Sequence, residues 1–208
     1  MLFRSVSQSR YPAVLVDIDL NRLEFVYKRS NLYNKAQHYE AALRQMQSKY
    51  SSSSASALIA YKLAKLLNDQ GSMYDPKTSE DYRWNYKTAL DICLAAIKDH
   101  PKGFGAESCK YLSDNIAAPG IYLASEKLVI PNQPVKARLS LKNLSGAEVS
   151  IYKIPNLSVN TDLGDEKCEW DSKVGKLIKK KPLWSKTFRL GNEGDFRSHS
   201  YEIELAFF

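Results

Sequence analysis

Two periods run along this chain and meet near residue 119. Up to about Ile116 the apolar residues return every three or four positions. From Ile121 onward they alternate with polar ones. The first spacing lines one face of an α-helix and the second lines one face of a β-strand. Val14, Ile18, Leu20, Leu23, Phe25, Val26 and Tyr27 mark a first helix, with Pro12 in its first turn, where a missing N–H costs nothing. A second helix is predicted from about Tyr33 to Tyr50, with Ala36, Tyr39, Ala42, Leu43 and Met46 on one side. After the break at Ser51–Ser54 a third follows, Ala57 to Asn68, and Gly71 and Pro76 punctuate a loop. A fourth spans Glu80 to His100, stopped by Pro101 and Gly103, and a short fifth spans Ala106 to Ile116.

The helical stretch contains an internal repeat. Tyr39-Glu-Ala-Ala-Leu43 returns as Tyr86-Lys-Thr-Ala-Leu90, and each copy leads through a break into a helix that opens on small residues, Ala57 and Ala60 in one and Ala106 and Cys109 in the other. Small side chains let two helix axes approach while large ones fill the groove between them. This is the pattern of stacked helix pairs, and it reads as tetratricopeptide-like. The spacing is about 47 residues rather than the ~34 of that repeat, and its tryptophan and glycine positions are missing. An ordinary antiparallel helical bundle is the competing reading.

Proline and glycine at Pro119-Gly120 end the helical pattern. Val135, Ala137, Leu139 and Leu141 alternate with Lys136, Arg138, Ser140 and Lys142, as in a strand with one face on a core. Strands are predicted near Tyr122–Ile130, Val135–Lys142, Ala147–Ile154, Trp184–Leu190 and Tyr201–Phe208, with a long polar stretch from Pro155 to Pro182. The fold class is therefore α+β: a helical-repeat domain over residues 1–118, then an antiparallel β-sandwich domain of immunoglobulin or macroglobulin type over 120–208. A seven-stranded sandwich takes ~100 residues, so this one is expected to lack its last strand or two. The chain ends on an apolar strand, Tyr-Glu-Ile-Glu-Leu-Ala-Phe-Phe, which favours a fragment of a larger protein.

Composition narrows the function classes. With 44% hydrophobic and 25% charged residues the chain has enough apolar surface for a sizeable core. It contains no apolar run of the ~20 residues a membrane span needs, and the N-terminal segment MLFRSVSQSRYP has no signal-peptide apolar region. The net charge is +7, part of it in Lys173, Lys176, Lys179, Lys180 and Lys181. Such a run can serve nucleic acid, but no arginine or aromatic residue is interleaved with it, so a solvated loop is the reading and no nucleic-acid partner is expected. Three cysteines, Cys93, Cys109 and Cys168, are not a disulfide framework; Cys93 and Cys109 read as buried free thiols.

Catalytic patterns are missing. The chain has no phosphate-binding glycine loop, dinucleotide fingerprint or nucleophile elbow. None of His38, His100 and His199 has another histidine or cysteine at a metal-ligand interval. Asp17 and Asp19, two apart on a helix, point to different sides. Cys109 sits at a helix-packing position with nothing adjacent expected to lower its pKa. No catalytic, cofactor-binding or metal-binding residue is assigned, no cofactor is expected, and the chain is read as a non-enzyme.

The junction and β region resemble a known family. Val129-Ile-Pro-Asn-Gln-Pro-Val-Lys-Ala-Arg-Leu-Ser-Leu-Lys-Asn-Leu144, then Val149-Ser-Ile-Tyr-Lys-Ile154, then Asp195-Phe-Arg-Ser-His-Ser-Tyr-Glu-Ile-Glu-Leu205, are similar to the amino-terminal part of Bacteroidetes-type bacterial alpha-2-macroglobulin-family proteins, where tetratricopeptide-like helices precede the first macroglobulin-type β-sandwich. Motif likeness covers about 80 residues. The family's thioester segment, Cys-Gly-Glu-Gln, has no counterpart: Cys168 is followed by Glu169 and Trp170. No bait region is recognised either. The resemblance implies a structural or interaction module of a large periplasmic or cell-envelope protein that binds or entraps proteases, its partners being proteases or other domains of the parent chain. The alternative is an independent helical-repeat adaptor binding a peptide or protein.

Overall fold

The computed structural model describes residues 12–126, 133–153, 174–176 and 178–206. The protein is α+β: helices come first, and antiparallel strands in two small sheets follow. Five helices are formed among the described residues: α1 (Pro12–Arg29), α2 (Lys35–Lys49), α3 (Ser56–Gly71), α4 (Asn85–Asp99) and α5 (Phe104–Ala117). The strands are β1 (Gly120–Ser125), β2 (Val135–Lys142), β3 (Gly146–Ile151), β4 (Trp184–Arg189) and β5 (Ser198–Leu205). The change of element type falls at Pro119, where the sequence period changes. The chain forms two compact units: Met1–Ala118 with Glu193–Arg197, and Pro119–Asn192 with Ser198–Phe208.

In the helical unit α3 is the centre. Ala57, Ile59, Ala60, Leu63, Ala64, Leu66 and Leu67 are all buried, so it is covered on nearly every side. A helix apolar all round requires neighbours all round: α2, α4 and α5 pack against it. Val16 and Leu20 of α1 and Leu43 of α2 are fully enclosed in the same cluster. Burial of each such side chain contributes roughly 1.5–3 kcal/mol. Small residues lie where backbones meet. A Cβ added at Gly105 would stand 2.5 Å from Leu58 N and 2.7 Å from Ala57 C, so the start of α5 lies directly on the start of α3.

Helix α4 begins at Asn85, five residues later than the pattern predicts. Glu80–Trp84 forms turns instead, with Tyr82 at φ 64°. A left-handed residue cannot continue an α-helix. Its aromatic neighbours mimic helical spacing without making a helix. Gly71, expected in a loop, is the last residue of α3; a Cβ there would crowd the Tyr86 ring at 3.2 Å.

The β unit has one sheet in the order β1-β2-β5 and a second of β3 and β4, all pairs antiparallel. Register puts Leu141 opposite Ile121 and His199, Leu139 opposite Leu123 and Tyr201, and Ala137 opposite Ile203, all on one face. On the other face Lys136 faces Glu204 and Arg138 faces Glu202, and the Ser140 and Ser200 hydroxyls are 2.7 Å apart. Val149, Ile151, Trp184 and Phe188 of the second sheet pack against buried Leu139, Leu141 and Ile203. Gly146 is required by a close approach: a Cβ would meet Phe188 O at 2.4 Å.

Strand β3 stops at Ile151, and β5 runs from Ser198 to Leu205 rather than from Tyr201 to Phe208. Residues 174–176 make a turn of helix inside the polar stretch. The expected strand continuation Lys127–Ile130, most of Pro155–Pro182, Cys168, Lys173, Phe207 and Phe208 lie outside the described residues.

Candidate interaction site on the helical unit

Helices α1 and α2 and the turn between them line an apolar groove of about 310 Å³, formed by Leu23, Val26, Tyr27, Leu32 and Tyr39, with Ser30, Lys35 and His38 completing its wall. Its floor is built by packing. The Tyr27 and Tyr39 rings stack with centroids 4.6 Å apart and planes 8° from parallel, which joins the two helices through aromatic faces. The Lys35 ammonium lies 5.5 Å from the Tyr27 ring centre and donates to Ser30 O at 3.1 Å. Val26 and Leu32 stay more than half exposed, at 56% and 61%. Among the described residues no carboxylate lines the groove, which presents apolar walls with a cation and an imidazole beside them.

Glu24 of α1 is already engaged. Lys62 Nζ of α3 donates to it at 2.6 Å and Lys28 Nζ pairs with it at 2.7 Å. The Lys28 and Lys62 hydrogen bonds hold its carboxyl down to about 2, against the opposing effect of burial. Burial, with the Glu24 charge behind it, pushes the Tyr39 phenol up to about 12. A second hollow of about 210 Å³ on the same helix pair is more polar, with Asp19, Arg22, Gln45 and Lys49 around it.

The segment Glu193–Arg197 belongs to the helical unit, where Phe196 packs on the core and Arg197 makes the most bonds. The Arg197 guanidinium sits between the Tyr74 and Tyr86 rings, 4.5 and 4.8 Å from their centres. It donates to the carbonyls of Gly71 at 2.5 Å, Tyr82 at 2.9 Å and Arg83 at 3.1 Å. The Arg197 backbone N–H donates to Oδ1 of buried Asp195. Arg83 pairs with Glu193 at 2.8 Å and Glu80 at 3.0 Å. A planar fork donating to three carbonyls between two rings is a use of arginine that lysine cannot copy. Asp195–Leu205 reads in the sequence only as a segment of the β region; an arginine more than a hundred residues from its partners leaves no periodic trace.

The other sequence candidates are dispersed. His38 lies in the first turn of α2, His100 follows α4 with Nε2 3.4 Å from Ser51 O, and His199 is in β5. Asp19 pairs with Arg22 at 3.4 Å while Asp17 is exposed. Lys176, Lys179, Lys180 and Lys181 are exposed. Cys93 and Cys109 are buried and free, as expected, but Cys109 does have a neighbour that draws its thiol down, Cys93, where the sequence offered none. A spacing of 16 residues across a helix break hides such a pair from periodicity.

No helix among the described residues is long and apolar enough to cross a membrane. Comparison with protein-family models, with curated proteins and with solved structures gives no match.

Proposed function

We propose that this chain is a non-catalytic scaffold and interaction module, a tetratricopeptide-like helical domain joined to a macroglobulin-like β-sandwich, from a large alpha-2-macroglobulin-type protein of the periplasm or cell envelope that binds or entraps proteases. The observation that carries this reading is the direct passage, across Ala118-Pro119, from helices packed through small residues into an antiparallel β unit whose β2, β3 and β5 hold the segments resembling that family. Apolar packing and backbone pairing use the residues at these positions, which suits a structural module. The partner is a protein: a protease, or other domains of the same parent. The exposed lysines after residue 175 are solvated surface in this reading, and nucleic acid is not a partner. The complete transcript containing this sequence tests the proposal. The expected frame encodes further macroglobulin-type β-sandwich domains and an export signal; a frame that ends here, or continues into a catalytic domain, would sink it.

The α1–α2 groove favours a second reading, an adaptor that takes up an apolar side chain of an acidic peptide. A peptide library scored against the wild type and Leu32→Asp separates the two. Sequence-selected binding lost in the variant supports the adaptor, and no selection in the wild type removes it.

A further inference from the structure

One end of the β3–β4 ribbon carries a surface that the scaffold role does not use. The chain before β4 makes one helical turn, in which Ile178 N–H donates to Val174 O at 3.0 Å. It is then pinned to the end of β3, where Leu183 N–H donates to Ile151 O at 2.8 Å. Ile151 and Trp184 are paired in the ribbon and pack on the core of the β unit, so the segment rises from a fixed base. Lys176, Lys179, Lys180 and Lys181 stand on it, all exposed. Exposed Lys153, two residues past Ile151, is at the same end of the ribbon. Two large aliphatic side chains are exposed among these charges, Ile178 at 60% and Leu183 at 57%. The charges are also uncompensated. In the helical unit Lys28, Lys62 and Lys65 each have a carboxylate partner. None of these five lysines forms an ion pair among the described residues. Over the whole of 149–192, nine Lys and Arg stand against five Asp and Glu, so an excess of positive charge survives when every acid is counted. Those acids, Asp162, Asp165, Glu166, Glu169 and Asp171, lie outside the described residues.

We propose that this end of the ribbon docks the β unit on the surface of an anionic lipid bilayer, with the lysines at headgroup level and Ile178 and Leu183 entering the boundary between headgroups and acyl chains. Each lysine near such a surface raises affinity roughly fivefold. Salt screens that attraction. The two aliphatic side chains supply a second attraction that salt does not screen, and stable surface binding takes two such signals together. Lysine suits the boundary because its methylene stem lies along apolar surface while the ammonium stays in water. A nucleic acid would take the lysines but leave Ile178 and Leu183 in water, and this end of the ribbon offers no arginine fork for a phosphate or a base edge. The occupant that uses both the charge and the apolar pair is the lipid surface. The inference does not depend on the family reading above, which assigns this face no task.

Co-sedimentation of the full chain with vesicles tests the proposal. Vesicles of phosphatidylcholine containing about 30% phosphatidylglycerol are compared with pure phosphatidylcholine in about 100 mM salt. The protein should pellet with the anionic vesicles and stay in solution with the neutral ones. Lys179→Glu combined with Lys180→Glu should weaken binding at least about 25-fold. Lys102→Glu combined with Lys110→Glu, the same change of charge at exposed positions of the helical unit, should weaken it less than about threefold. Ile178→Ser combined with Leu183→Ser, which leaves the charge alone, should weaken it about tenfold or more. No pelleting with anionic vesicles would overturn the proposal. So would equal losses in the two lysine pairs, which would reduce the effect to the net charge of the whole chain. Full binding by the Ile178 and Leu183 variant would remove the insertion. Tighter binding to a single-stranded oligonucleotide than to the anionic vesicles in the same salt would make this a nucleic-acid surface instead. The vesicle comparison uses the unaltered protein, so it decides even where a variant fails to fold.

Discussion

Replacing Gly105 by alanine pits helix propensity against packing. Alanine is favoured over glycine in a helix interior by about 1 kcal/mol, and less here because Gly105 is the second residue of α5. Against this, the new Cβ would stand 2.5 Å from Leu58 N, 2.7 Å from Ala57 C and 3.0 Å from Ala57 Cβ. Two of these are backbone atoms of α3, which cannot rotate away as a side-chain tip could. Restoring ordinary contact near 3.5 Å requires about 1 Å of separation between α5 and α3. That separation loosens Cys109, Ala57 and Ala60, all buried at or next to the crossing. Overpacking of this kind costs about 1–3 kcal/mol. The clash wins: Gly105→Ala should destabilise the helical unit by about 1–2 kcal/mol net, lowering its melting temperature by roughly 3–8 °C. Thermal and urea unfolding followed by far-ultraviolet circular dichroism measure this. Gly191→Ala is the control, since its Cβ meets nothing within 4 Å. A Gly105→Ala protein as stable as the wild type, or more so, would show that α3 and α5 do not touch through their backbones.

Further expectations concern the same unit. Leu43→Ala empties a fully enclosed site and should cost about 2–5 kcal/mol in urea unfolding; a loss below about 1 kcal/mol would remove Leu43 from the core. Arg197→Lys keeps the charge but loses the stacked fork, and should destabilise the helical unit by about 1–3 kcal/mol, whereas equal stability would show that the three carbonyl bonds contribute nothing. Because the Glu24 carboxyl is held at about 2 in the fold, below its ordinary 4.5, its stabilisation is complete above the higher value and is lost as pH falls through the lower one. The stability gap between the wild type and Glu24→Gln should thus be level near neutrality and narrow between about pH 5 and pH 2; a gap that does not change with pH contradicts the Lys28–Glu24–Lys62 cluster.

Periodicity made the helices and the change to strands legible because burial on one face is a local signal repeated many times. Leu43, Leu63, Leu139 and Leu141 are read correctly from spacing alone, and the small residues Ala57 and Cys109 touch. What escaped has no period. Tyr82 in a left-handed conformation cuts short a helix whose spacing its aromatic neighbours continue in the sequence. Arg197 draws carbonyls from three residues remote in sequence, and none of them is marked by its side chain. Glu24 and Lys62 meet 38 residues apart. The α1–α2 groove is lined from two helices and the loop between them, which no single stripe records.

The β unit shows where alternation stops being informative. Strands β1 and β2 carry the same apolar alternation on the same face, with Ile121 opposite Leu141 and Leu123 opposite Leu139. Leu139 and Leu141 are buried at 0% and 3%, yet Ile121 and Leu123 are 59% and 42% exposed. The second sheet accounts for the difference: its apolar side chains pack on the β2 and β5 residues, and its two strands do not reach across the whole face. Burial, not pattern, sets the energetic weight of a residue. Leu139→Ala should therefore cost about 2–5 kcal/mol. Ile121→Ala, which removes side-chain atoms that water already touches and gives up some strand propensity, should cost no more than about 1 kcal/mol. Urea unfolding of the two variants, read through a β-unit probe such as Trp184 fluorescence, makes the comparison. Equal losses would mean that β1 is covered as fully as β2 in solution, and the uncovered face would then not exist in the folded protein.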